Sequence, residues 1–141
     1  MYQTAAFIGL LLVGLISQQP ASAPPPATKL DYEFFKTKVQ PVFLAKRPGH
    51  ARCIACHGSG TPLRLQPLSP GSTTWNEEES RKNFEAVQRV VTPGSTNSRL
   101  LTHPLAEKAG GDFYHSGGKH FSSQSDPEWQ TLRAWVTGER R

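Results

Sequence analysis

A chain of 141 residues has room for one domain, and with both ends and a proline-rich stretch set aside about 110 residues remain for a modest core. Two cysteines three positions apart exclude a disulfide framework, so their purpose is local: metal binding, redox chemistry or cofactor attachment. The net charge of +5 lies entirely in residues 29–64, where seven basic residues face only Asp31 and Glu33, whereas residues 65–141 hold nine of each sign.

The N-terminus opens with an unbroken apolar run from Ala5 to Ile16, followed by Gln18, Gln19, Pro20 and the triplet Ala21-Ser22-Ala23. Its length and the A-x-A triplet suit a secretory signal cleaved after Ala23. Residues 1–4 contain no Lys or Arg, which disagrees with a cleavable signal. Counted from Tyr2 to Gln18, the run reaches the lower end of a membrane span, about 17 residues. The expectation is therefore a signal peptide or an uncleaved anchor helix over 1–19, the latter giving membrane anchorage through residues 2–18. Either fate places the rest of the chain outside the cytoplasm, anchored on the periplasmic side of the membrane or free in the periplasm. Residues 20–29 read as a stiff, proline-rich linker, and residues 30–141 as the folded domain.

Within that domain every predicted element is a helix. Asp31 to Lys46 has an N-cap in Asp31, apolar residues at helical spacing (Phe34, Phe35, Val39, Val42, Phe43) and a kink or split at Pro41. Arg47-Pro48-Gly49 closes it. Residues 58–74 read as a loop. Glu77 to Val91 is the next helix, capped by Asn76 or Thr74, with three glutamates in its first turn and Phe84, Val87, Val90 and Val91 on one face. A short helix lies within Ser95 to Leu105, with Leu100 and Leu101 inward. Gly110-Gly111 and Gly117-Gly118 mark a Gly-rich loop carrying His115 and His120. The last helix starts with Asp126 and Pro127, buries Trp129, Leu132, Trp135 and Val136, and stops at Gly138. No strand is expected, so the fold class is all-α.

The segment Cys53-Ile54-Ala55-Cys56-His57 carries the chemistry. Cys-x-x-Cys-His is the attachment sequence of c-type haem. Two thiols at this spacing reach the two vinyl-derived carbons on one porphyrin edge, and the imidazole that follows binds iron as the proximal ligand. A redox dithiol is expected beside a βαβ pattern, which is missing, and a structural zinc needs four ligands, usually from two separated pairs. One covalently bound haem c is the expected cofactor. Its distal ligand is not a domain methionine, because the only Met is Met1. His115 leads the remaining candidates, with His120 and His103 as runners-up and an open or water-bound site as the alternative. His50 lies on the attachment side and is a poor candidate.

These residues give the chain a resemblance to class I-like monohaem cytochrome c domains of the planctomycete and acidobacterial kind. The matching stretches run from Phe35 to Gly58, through Pro93-Gly94 and Ser98-Arg99-Leu100-Leu101, to His115-Ser116-Gly117-Gly118-Lys119 and Glu128 to Gly138. Relatives often carry His-Gly-Gly-Gly before the last helix, and by that analogy His115 is the distal ligand. Here Ser116 replaces the first of those glycines. The resemblance implies a few helices around one haem, with the first and last packed together. It also implies a single-electron carrier rather than an enzyme. The expected donor is a quinol-oxidising complex or a soluble protein. The expected acceptor is a membrane redox complex, one candidate being an acidobacterial homodimeric photosynthetic reaction centre. Replacement of Met by His should lower the potential. The basic segment suits an acidic partner or an anionic membrane face, or is ordinary solubilising charge; no nucleic-acid partner is expected. Two alternatives are a haem-based sensor or peroxidase-like protein with an open distal site, and a subunit that chiefly caps a complex.

Overall fold

The computed structural model describes residues 28–139. The expected apolar segment over 1–19 and most of the 20–29 linker lie outside the described residues. Among the described residues, no helix is long and apolar enough to cross a membrane.

Asp31 opens the first helical run, its carboxylate accepting the Phe34 N–H at 2.9 Å. The run comprises α1 (Tyr32–Phe34), a π-helical turn (Phe35–Val39) and α2 (Gln40–Leu44). The kink or split expected at Pro41 takes the form of a π turn immediately before it, after which the helical run continues through the proline. The π turn resets the hydrogen-bond ladder, with the Gln40 N–H donating to the Phe35 carbonyl. Pro41 then falls in the first turn of α2, where a missing N–H leaves no helical bond unmade. Phe35 and Val39 are fully buried on the inner face.

The short helix α3 (Cys53–His57) follows a turn at Gly49, whose φ of 75° is left-handed. An extended loop then leads to α4 (Glu77–Gln88). Asn76 and Glu79 form a reciprocal capping box there, each side chain accepting the other's backbone N–H. Asn76 rather than Thr74 is thus the cap. The helix ends at Gln88, short of the expected Val91, because Arg89 and Val90 turn away; Val90 and Val91 still pack on the core.

α5 (Arg99–Thr102) buries Leu100 and Leu101 as expected. A 3₁₀ turn (Glu107–Ala109) was not legible in the sequence. An isolated bridge between Leu105 and Phe121 closes the base of the Gly-rich loop, and no strand occurs among the described residues. α6 (Pro127–Thr137) begins with the Asp126 carboxylate accepting the Glu128 and Trp129 N–H groups, and ends at Gly138 with φ 75°.

Two tryptophans of α6 tie the all-α fold together. Trp135 packs its ring 5.3 Å from that of Phe35 and donates its indole N–H to the Asp31 carbonyl at 2.7 Å, joining the first and last helical segments. Trp129 donates to the Leu101 carbonyl at 3.0 Å, joining α6 to α5. Each indole thereby buries a large apolar surface without stranding its polar atom. On the other side a buried polar ladder connects the first run, α4 and the loop between α3 and α4. Gln40 donates to Ser80 at 3.0 Å, Asn83 accepts the Gln66 N–H at 2.7 Å, and Trp75 donates to the Gln66 carbonyl at 2.8 Å.

Candidate functional site

One turn of helix in α3 puts Cys53, Cys56 and His57 at positions i, i+3 and i+4, which share a helix face. All three line one cavity of ≈ 430 Å³. Cys53 is half-buried and Cys56 exposed, and both are free thiols. Burial pushes the Cys53 thiol above its usual pKa, against the pull of the Arg47 guanidinium. A redox-active Cys-x-x-Cys thiol shows the opposite shift.

The His57 ring is fixed by the segment that follows it. Its Nδ1 lies 3.0 Å from the Leu63 carbonyl and 3.0 Å from the Thr61 hydroxyl. The Thr61 hydroxyl itself donates to the Leu63 carbonyl. A carbonyl oxygen only accepts, so Nδ1 carries the hydrogen and the Nε2 lone pair is left free. The Leu65 N–H returns a bond to the His57 carbonyl at 2.7 Å.

His115 is prepared in the same way from the Gly-rich loop. Its Nδ1 donates to the Gly118 carbonyl at 2.6 Å, while the Gly118 N–H donates back to the His115 carbonyl at 2.9 Å. That tight turn requires φ of 78° at Gly118, a conformation that disfavours any side chain. Burial lowers the His115 pKa, which keeps the imidazole neutral and able to act as a ligand. The two rings lie with centres 6.1 Å apart and planes within 19° of parallel. Two imidazoles that share one first-row metal ion, each nitrogen about 2 Å from it, bring their ring centres to about 6 Å.

The runners-up occupy different roles. His103 is held by Asp112, Nδ1 to carboxylate at 2.8 Å, and sets its ring edge-on to His115 at 4.9 Å between centres. The His103 hydrogen bond in turn holds the Asp112 carboxyl below its usual pKa. His120 also lines the cavity, with its pKa pushed down to about 4, chiefly by burial and then by neighbouring His50. Its Nδ1 is buried without a partner among the described residues. His50, expected on the attachment side, packs on His120 with 4.7 Å between ring centres. The five histidines are therefore neighbours, yet only His57 and His115 pair a carbonyl-anchored Nδ1 with an approach across the cavity.

The donor set is poor for a bare ion: among the described residues no group of three or more His, Cys, Asp or Glu is arranged to hold one. It fits a flat metal-centred ring better. The volume falls within the range of cofactor sites, about 300–1,000 Å³. Leu63, Val90, Leu100 and Pro104 supply apolar walls. Arg52, Arg89 and Arg99 line the same cavity with guanidinium groups able to receive carboxylate tails.

The chain matches no family model, no curated protein and no solved structure.

Sequence reasoning missed three parts of this site. The carbonyls of Leu63 and Gly118 are backbone groups, and no residue identity announces them, although Gly118 flags the turn. The guanidinium of Arg89 reaches the cavity from just beyond the end of α4. Arg47 gave no sign beyond its charge, yet it is buried beside Cys53.

Proposed function

We propose that this chain is a monohaem c-type cytochrome, a class I-like helical domain that carries single electrons outside the cytoplasm. Cys53 and Cys56 hold one haem c through thioether bonds, His57 is the proximal ligand and His115 the distal one. The observation that carries the reading is the matched pair of imidazoles: each has its Nδ1 tied to a backbone carbonyl, their ring centres stand 6.1 Å apart, and both cysteines line the cavity they share. Outer partners of this kind orient a metal-bound histidine and raise its basicity.

The haem supplies a one-electron iron couple. The chain's residues set the conditions for it. His57 and His115 would each supply one imidazole nitrogen to the iron, which would leave no coordination site for a substrate and argues for a carrier rather than an enzyme. Leu63, Val90, Leu100 and Pro104 would exclude water, and Arg52, Arg89 and Arg99 would meet the carboxylates of the haem. Two imidazole ligands favour a lower potential than a His/Met pair. The donor in this reading is a quinol-oxidising complex or a soluble protein. The acceptor is a membrane redox complex, a photosynthetic reaction centre among the candidates. The chain reaches it from the periplasm or from an anchor formed by residues 2–18.

The absorption spectrum with and without carbon monoxide tests this. Low-spin bands in both oxidation states with no response to the gas are expected. The His115→Ala variant should keep its haem and turn high-spin, whereas His120→Ala should stay low-spin. High-spin iron that binds carbon monoxide in the unaltered protein overturns the carrier reading in favour of an open-site sensor or peroxidase-like protein. Survival of the low-spin spectrum in His115→Ala but not in His120→Ala overturns the ligand assignment.

A further inference from the structure

Arg47 belongs to none of the donor groups, yet it is 9% exposed. Burying a guanidinium is costly unless its charge and donors are met, and an arginine cannot shed its proton to escape the cost. Here the charge is met and the donors only in part: one terminal nitrogen donates to the Val42 carbonyl at 3.1 Å and pairs with the Glu128 carboxylate in the first turn of α6, while Nε is buried without a partner among the described residues. The other terminal nitrogen reaches the Cys53 sulfur at 3.9 Å. The guanidinium carbon stands 4.9 Å from the centre of the Phe121 ring, so the cation lies over that ring's face. Sequence separation hides this cluster: α2, α3, the base of the Gly-rich loop and α6 each contribute one member.

The pair is asymmetric. The Arg47 side chain is 10% exposed and that of Glu128 37%. Water screens the carboxylate far more than the cation. The field at the Cys53 sulfur is therefore net positive although the pair is formally neutral.

We propose that the Arg47–Glu128 pair sets the reduction potential of the haem attached through Cys53, with Arg47 raising it and Glu128 tempering it. This rests on the cytochrome reading above. A positive field favours the reduced iron, which carries one electron more. Arg47 acts here through its charge and touches no reacting atom, so it is a positioning and tuning residue.

Anaerobic redox titration of the intact haem-loaded chain tests the proposal, with the wild type beside Arg47→Gln, Arg47→Lys and Glu128→Gln at one pH. Arg47→Gln should shift the one-electron equilibrium about tenfold toward the oxidised form, about 59 mV lower in potential. Glu128→Gln should shift it the other way by less. Arg47→Lys keeps the charge but loses the planar fork, so its potential should stay near that of the wild type while its thermal stability falls. A purely structural role would move both charge-removing variants in the same direction, or neither, and either result overturns the proposal. Should Arg47→Gln fail to fold, a potential for Glu128→Gln that is unchanged or lower overturns it alone. A wild-type chain that carries no haem sinks the cytochrome reading instead, a result distinguishable from coloured variants whose potentials do not separate.

Discussion

His57 and His115 hold their rings in the same way, each through an Nδ1 hydrogen bond to a backbone carbonyl, yet the segments presenting those carbonyls are built differently. The His57 side is anchored in the core. Leu63 and Leu65 are buried, Gln66 is gripped by Asn83 and Trp75, and Asn83 is fully buried beside Gln40. The His115 side is anchored by polar bonds to a surface loop. Lys119 donates to the carbonyls of His103 and Asp112, and Asp112 bonds the His103 ring. Phe113 and Tyr114, immediately before His115, are 85% and 66% exposed. One imidazole thus shares the stability of the whole fold, while the other depends on a local segment with few buried apolar contacts. The His115 side should open first under denaturant, and the His57 side only with global unfolding.

The largest expected effect of breaking this contrast is on colour. His57→Ala should yield an exported chain without low-spin haem, whereas His115→Ala retains the haem and changes only the spin state; absorption spectra of the two purified variants check both halves. Next comes Trp75→Ala on the core-anchored side. Removing a buried indole that also bonds the Gln66 carbonyl should cost about 3–5 kcal/mol, read as a lower midpoint in denaturant melts. On the loop side, a Cβ at Gly111 would lie 1.9 Å from the Leu105 carbonyl oxygen and 2.9 Å from that of Thr102, both immovable backbone atoms. Gly111→Ala should displace the loop, so that high-spin iron appears at temperatures where the helical circular dichroism is still intact. The smallest effect is expected from Lys119→Met, which deletes two loop hydrogen bonds at about 1 kcal/mol each. It should speed displacement of His115 by added cyanide in stopped-flow mixing while shifting the melting temperature little.

The contrast also shows where sequence reading succeeds. α6 was legible from end to end because its start, stop and buried stripe are all local: Asp126 and Pro127, Gly138, and the spacing of Trp129, Leu132 and Trp135. α4 was legible for the same reason at its capped start, and less so at its end, where Arg89 and Val90 turn under tertiary packing. The π turn was not legible, since it answers a ladder problem that Pro41 creates within an otherwise continuous helix. At the site, Cys53, Cys56 and His57 announce themselves by spacing, and His115 by its place in a Gly-rich loop. The Leu63 and Gly118 carbonyls are local but are backbone groups that no residue identity announces, whereas the Asn83 ladder and the Arg47–Phe121–Glu128 contacts join residues far apart in the chain, and only folding brings them together.

The central claim is tested most directly by the intact mass and thiol content of the chain purified after export from a host with haem-attachment machinery. A covalent gain of one haem, with Cys53 and Cys56 both refractory to alkylation and a red, low-spin protein, is the predicted result. A colourless chain whose two cysteines both alkylate, at the unmodified mass, would contradict it.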